Sequence, residues 1–136
     1  MRIRDRVKES RRVRASELVP NPKNWRRHPQ AQADALRALM AEIGFAGALA
    51  VRQLSDGRFM IIDGHLRAEI TPKMEVPVLV LDVSEDEADK ILATLDPLGA
   101  MADQAAVEAL LATVQTGSAA VAGCLSVSPA RPPGRR

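Results

Sequence analysis

Apolar residues recur along this chain at two spacings, one helical and one strand-like. Leu36, Leu39, Met40 and Ile43 fall at i, i+3, i+4 and i+7, which predicts a helix opening at Pro29 as its first-turn proline and stopping at Gly44. Ala88, Ile91, Leu92 and Leu95 repeat that stripe. Ser84 with Glu87 three residues on reads as a capping box at its start, and Pro97 ends it. Val107, Leu110, Leu111 and Val114 predict a third helix from Asp103 to Gln115. Between these lie strand-like runs at Ala48 to Leu54 and Arg58 to Ile62, joined by the turn residues Ser55-Asp56-Gly57. Val76 to Val83 reads as a buried strand, Arg11 to Arg14 as a short one, and His65 to Ile70 as about two helical turns closed by Thr71-Pro72. Strand, helix, hairpin, short helix, strand, helix, helix is the order of an α+β fold, a small mixed β-sheet with packed helices.

Composition narrows what such a domain does. At 136 residues with 46% hydrophobic positions the chain suits one compact domain with flexible ends. Its longest apolar stretch, Gly44 to Val51, is far short of the ~20 residues of a membrane span, and its start lacks an apolar signal core. A soluble, cytoplasmic protein is expected. Cys124 is the single cysteine, so an intrachain disulfide and a cysteine-built metal site are excluded. Trp25, Phe45 and Phe59 are the only aromatics, too few for a base-stacking platform, so contact with nucleic acid would lean on charge.

That charge is concentrated. Ten Lys/Arg against three acidic residues fill Met1 to His28, while the net charge of the whole chain is only +2. Arg11, Arg12, Arg14, Arg26 and Arg27 are the candidates to meet DNA phosphates, the alternative being a solvated leader. From Thr116 the sequence turns to Gly, Ser, Ala, Pro and Arg without periodicity and reads as a disordered tail.

The densest polar feature inside the apolar frame is Asp63-Gly64-His65-Leu66-Arg67, between a strand and a short helix. A strand-to-helix junction presents backbone N–H groups, glycine lets a phosphate approach them, and Arg67 could add a bidentate contact. The competing reading is that Gly64 only turns the chain, Asp63 caps the helix and Arg67 is a surface cation. His65 and His28 are acid/base or ligand candidates, or ordinary hydrogen-bonding residues. Asp56, Asp63 and Asp82 would have to converge to hold a divalent ion, and turn and cap roles account for the first two without one. Trp25 either stacks on a base or anchors its proline-rich loop to the core.

Several spaced motifs then carry a resemblance: Leu18-x-Pro20-Asn21-Pro22-x-Asn24-x-Arg26-x-His28, Gly44-Phe45, Asp56-Gly57, Asp63-Gly64-His65-x-Arg67 and Val76-Pro77-Val78. In this order they resemble the ParB/sulfiredoxin-like domain, over about Arg12 to Met101, and most of all the branch that precedes DNA methyltransferases in mobile elements. On that basis residues 1–11 form a basic flexible leader, 12–101 the domain, 102–115 a C-terminal helix and 116–136 the tail. The resemblance implies a pocket in which Gly64, His65 and Arg67, with Gly44 and Ala48 of the Gly44 to Val51 segment, hold the phosphates of CTP or ATP with Mg²⁺. Where partition proteins carry Gly-Glu-Arg-Arg, this chain has Gly64-His65-Leu66-Arg67 and so lacks the acidic residue that assists the metal and hydrolysis. Sulfiredoxins carry a reactive cysteine where His65 stands, so their thiol chemistry is not expected here. Ala48 replaces a proline found in much of the family.

The function expected is therefore a DNA-associated, nucleotide-binding regulatory or accessory module, as a monomer or an oligomer. A metal-dependent nuclease or nucleotide hydrolase, with His65 as base or ligand and Asp63 on the metal, is the enzymatic alternative. An inactive remnant of a methyltransferase-linked protein is a third.

Overall fold

The computed structural model describes residues 1–95 and 103–126, which divide into two compact units. The first unit, residues 1–27 and 45–95, is built on a four-stranded sheet. Strand β1 (Val7–Arg14) is followed by a 3₁₀ turn (Ala15–Glu17), then, beyond a loop and the helix α1 of the other unit, by β2 (Leu49–Gln53), β3 (Phe59–Asp63), helix α2 (His65–Ile70), β4 (Glu75–Leu81) and helix α3 (Glu85–Thr94). The strand order is β1-β4-β2-β3, with β4 antiparallel to β1 and parallel to β2, and β2 and β3 paired as a hairpin. This is the small mixed sheet with packed helices that the pattern predicts.

Alternation along β4 divides the core in two. Val76, Val78 and Val80 are at most 1% exposed and join Leu49, Val51, Phe59 and Ile61 under the 3₁₀ turn and Ala68 of α2. On the opposite face Ile62 meets Ala88 and Leu92 of α3, with Ala50 and Leu81 packed alongside. Pro77 is tolerated in a central strand because it precedes the Val78 to Leu81 stretch that pairs with β2, where a missing N–H would break the ladder. The hairpin turns where expected: Gly57 takes φ +89°, and Asp56 accepts the Arg58 peptide N–H at 3.0 Å.

The start of the chain differs from the sequence reading. β1 begins at Val7, where the pattern gave a strand only from Arg11, and its register runs from Val7 opposite Leu81 to Arg14 opposite Glu75. Edge strands need backbone partners more than buried side chains, so Lys8, Glu9 and Ser10 extend β1 without leaving an alternating signal. Arg6, inside the expected leader, donates to the Asp82 carbonyl and lies 2.9 Å from Glu87, the carboxylate of the α3 capping box.

That contact makes a pH prediction. The Arg6 hydrogen bond, helped by the Ser84 peptide N–H, lowers the Glu87 carboxyl from 4.5 to about 2. A carboxylate with a depressed folded value contributes stability that is complete above the unfolded value of 4.5 and is lost as pH falls toward about 2. Thermal melts of the wild type and Glu87→Gln across that window are expected to converge, the wild type losing more on acidification; parallel losses would show that the Arg6–Glu87 contact does not contribute.

The second unit comprises residues 28–44 and 103–126. Here α1 (Gln30–Ile43) packs against α5 (Ala119–Ser126), and α4 (Gln104–Leu111) lies between them in sequence. Pro29 is the N-cap residue of α1 rather than its first helical residue, and Asp103 caps α4 by accepting the Ala106 N–H at 3.1 Å. α4 is shorter than its stripe predicts. α5 falls where a disordered tail is expected: Ser118 accepts the Val121 N–H at 3.3 Å as an N-terminal cap, and small residues let the helix sit close to α1, burying Val121 and Ala35. Of the expected tail, residues 127–136 lie outside those described, as does the predicted Pro97 helix stop. Among the described residues no helix is long and apolar enough to cross a membrane.

Candidate functional site

The segment between the first 3₁₀ turn and α1 is an irregular loop in sequence and a pinned one in structure. Val19 bridges to Met60 on the outer side of β3, accepting from Ile61 at 2.9 Å and donating to the Phe59 carbonyl at 2.8 Å. Asn21 is 8% exposed; its side-chain oxygen accepts the Lys23 N–H at 3.0 Å, and Asn24 accepts the Arg26 N–H in the same way at 3.3 Å. The Lys23 ammonium reaches Asp89 of α3 at 2.7 Å, which holds it above its ordinary value, and the Trp25 indole N–H donates to the Leu92 carbonyl at 3.0 Å. Of the two readings open for Trp25, this is the anchoring one.

The loop is thereby held against the Asp63 to Arg67 segment. Arg26 lies 2.9 Å from the Asp63 carboxylate at the end of β3. The Asn21 peptide N–H donates to His65 Nε2 at 3.1 Å, so that nitrogen carries its lone pair and the ring proton sits on Nδ1. Asp63 and His65, the two catalytic candidates, thus both hold the loop, a role that sequence spacing does not reveal because their partners lie 37 and 44 residues away.

Gly64 between them has φ +103°, and a Cβ there would meet Leu49 Cγ at 2.7 Å, so glycine is required both by conformation and by space. The first intrahelical bond of α2 runs from the Ala68 N–H to the Gly64 carbonyl, which leaves the N–H groups of His65, Leu66 and Arg67 at the open end of the helix. Arg67 is exposed, and among the described residues its guanidinium has no ion pair or hydrogen bond. It passes Gly47, where a Cβ would lie 4.0 Å from its Nε. Gly47 was not singled out by the sequence, although it sits in the Gly44 to Val51 segment. Ala48 is exposed just ahead of β2, whereas Gly44 belongs to the helical unit, where it ends α1 with φ +99°.

The five candidate nucleic-acid arginines separate into two groups. Arg11 stacks 5.3 Å from the centroid of Phe59 and lies 3.5 Å from Glu9, and Arg26 holds Asp63. Arg12, Arg14 and Arg27 are exposed and without an ion pair among the described residues. Register places Arg12 opposite Pro77 and Arg14 opposite Glu75, on the other sheet face from Arg11, which is opposite Val78.

The remaining chemical candidates disperse. Asp56 holds Arg58 at 2.8 Å at the hairpin tip, and that residue's peptide N–H and guanidinium keep its carboxyl below the usual range. Asp82 meets Arg6 through its carbonyl. Among the described residues no group of three or more His, Cys, Asp or Glu side chains is placed to hold a metal ion. Cys124 is exposed on α5.

No protein-family model and no curated protein matches this sequence. Among solved structures the chain is similar to the C-terminally truncated chromosome-partitioning protein ParB from Caulobacter crescentus, in a crystal structure complexed with CTP-gamma-S. The TM-score is 0.61 at 23% identity, and the match covers 76% of this chain and 60% of that one. The fold is ParB-like.

Proposed function

We propose that this chain is a nucleotide-binding ParB-like module that associates with DNA in a regulatory or accessory role. The observation that carries the nucleotide reading is the Gly64 to Arg67 segment: a left-handed glycine, three peptide N–H groups at the open end of α2, and an unpaired Arg67 beside Gly47. Those groups suit the phosphates of CTP or ATP. The fold is shared with a protein whose structure contains a CTP analogue, which supports the choice of ligand class. Mg²⁺ would arrive on the phosphates, with Asp63, which Arg26 holds, a carboxylate directly ahead of the segment. The chain's own residues bind and orient the phosphates, and His65 keeps the Asn21 loop in place beside them.

Thermal-shift and calorimetric measurements with CTP, ATP, GTP and UTP, with and without Mg²⁺, test this reading. A rise in midpoint with CTP or ATP is the expected result, since a ligand that binds only the folded state stabilises it by mass action. No shift with any triphosphate would overturn it.

Of the five candidate arginines for DNA contact, Arg12, Arg14 and Arg27 are without an ion pair among the described residues. Exchanging both Arg12 and Arg14 for Gln is expected to lower the slope of log K against log salt by about 2, roughly 0.9 per lost phosphate contact. Arg11→Gln is expected to leave that slope nearly unchanged, because Arg11 is committed to Phe59 and Glu9. Equal slopes in all three proteins would remove β1 from the DNA contact.

A further inference from the structure

A cavity of about 430 Å³ opens on the α3 side of the sheet, between the β2–β3 hairpin, the first half of α3 and the Asn21 to Lys23 turn. It is lined by none of Gly64, His65 or Arg67, and so is separate from the segment assigned to phosphates. Its apolar wall is Leu54, Met60, Ile62 and Ala88.

The charges around it are nearly all matched. Lys23 lies 2.7 Å from Asp89 and 3.6 Å from Glu85, and Asp56 holds Arg58 at 2.8 Å. Arg52 is the exception. It faces Met60 across the hairpin register, is half-buried, lines the cavity, and has no ion pair or hydrogen bond among the described residues. A guanidinium partly removed from water without an acceptor carries a desolvation cost that an incoming anion would relieve.

We propose that this cavity binds a small organic carboxylate, its carboxylate group on the Arg52 guanidinium and its hydrocarbon body on Met60, Ile62 and Ala88. Size agrees with that class, since pockets for small ligands run from about 300 to 1,000 Å³, and the apolar wall gives the hydrocarbon body a surface within an otherwise polar lining. The planar fork of arginine matches a carboxylate in bidentate geometry. The lining sets Asp56, Glu85 and Asp89 against Lys23 and Arg52, an acidic excess that disfavours multiply charged anions such as inorganic phosphate or a nucleoside triphosphate, whereas a single negative charge with an apolar body meets Arg52 and the wall together.

The test is an amide-resonance titration of the full chain with phenylacetate and hexanoate, and with phenylacetamide and hexanamide as uncharged isosteres. Both acids are expected to shift the resonances of Arg52, Met60 and Ala88, with the amides binding about tenfold or more weakly, as loss of a charge-assisted contact requires. Arg52→Gln is expected to lose the acids by a similar factor, and Arg52→Lys to retain part of their affinity. Unmoved resonances at these three positions, amides that bind as well as acids, or acids bound equally by Arg52→Gln would each overturn the assignment. The comparison of acids with amides needs no variant, and so stands whatever Arg52→Gln does to the fold.

Discussion

Gly64→Ala is expected to destabilise the sheet unit by about 2–4 kcal/mol, and to lower its thermal midpoint by at least about 10 °C. Two independent causes add at this position. The backbone is held at φ +103°, a conformation that costs an L-residue on the order of 1 kcal/mol or more. The new methyl would also fall 2.7 Å from Leu49 Cγ, and Leu49 is fully buried with nowhere to retreat. Overpacking of this kind costs about 1–3 kcal/mol. The two causes separate in a double-mutant cycle. Leu49→Ala alone is expected to cost about 2–5 kcal/mol, but in the Gly64→Ala background it removes the offending Cγ, so the pair should fall short of additivity by about 1–2 kcal/mol. Strict additivity in urea denaturation would show that only the backbone conformation matters, and a cost below about 0.5 kcal/mol for Gly64→Ala would show that the segment is held differently.

Arg67→Ala should be the opposite kind of change, nearly silent for folding and large for ligand. Its side chain is exposed and unpaired among the described residues, so stability should move by no more than about 0.5 kcal/mol. A charge-assisted hydrogen bond to phosphate is worth about 1.5–3 kcal/mol, and calorimetry should therefore show affinity for CTP or ATP with Mg²⁺ falling about 10- to 100-fold. Arg67→Lys keeps the charge but not the fork, and should recover only part of the loss. If a triphosphate binds wild type and Arg67→Ala alike, the phosphates lie elsewhere than on the start of α2.

What the sequence made legible follows from how local each signal is. The hairpin turn at Asp56-Gly57, the capping box of Ser84 and Glu87, and the alternation of Val76, Val78 and Val80 are each written within a few residues, and each lies where expected. β1 was legible only over its last four residues, because an edge strand is defined by the backbone of a neighbour 61 to 74 positions away. The α5 helix left no periodic stripe, since small residues pack without one. The chemistry divides in the same way. Gly64 and Arg67 are a weak signal by spacing alone and stand out only through the set of spaced motifs around them, but nothing in Asn21, Trp25 or Arg26 announces that they will bind His65, the Leu92 carbonyl and Asp63. Sequence shows the donors, and only the folded chain shows their acceptors.

The helical unit also has a timetable. α1 is complete at Ile43, but α5, the helix it packs on, begins only at Ala119, with β2, β3, α2, β4 and α3 of the sheet unit encoded in between. At about 5–20 residues per second the ribosome takes on the order of 4–15 s to cover that interval. A helix of 14 residues with only Ala35 buried is marginal by itself, so during those seconds α1 has no stable form of its own while its Leu36, Ala35 and Met40 face lies uncovered. The sheet unit, whose strands and loop pins are all encoded by Leu95, is able to close first. Nascent chains will thus carry a nearly finished sheet with an unpartnered, adhesive segment looped out of it, the stage at which holding chaperones or aggregation would compete for this protein.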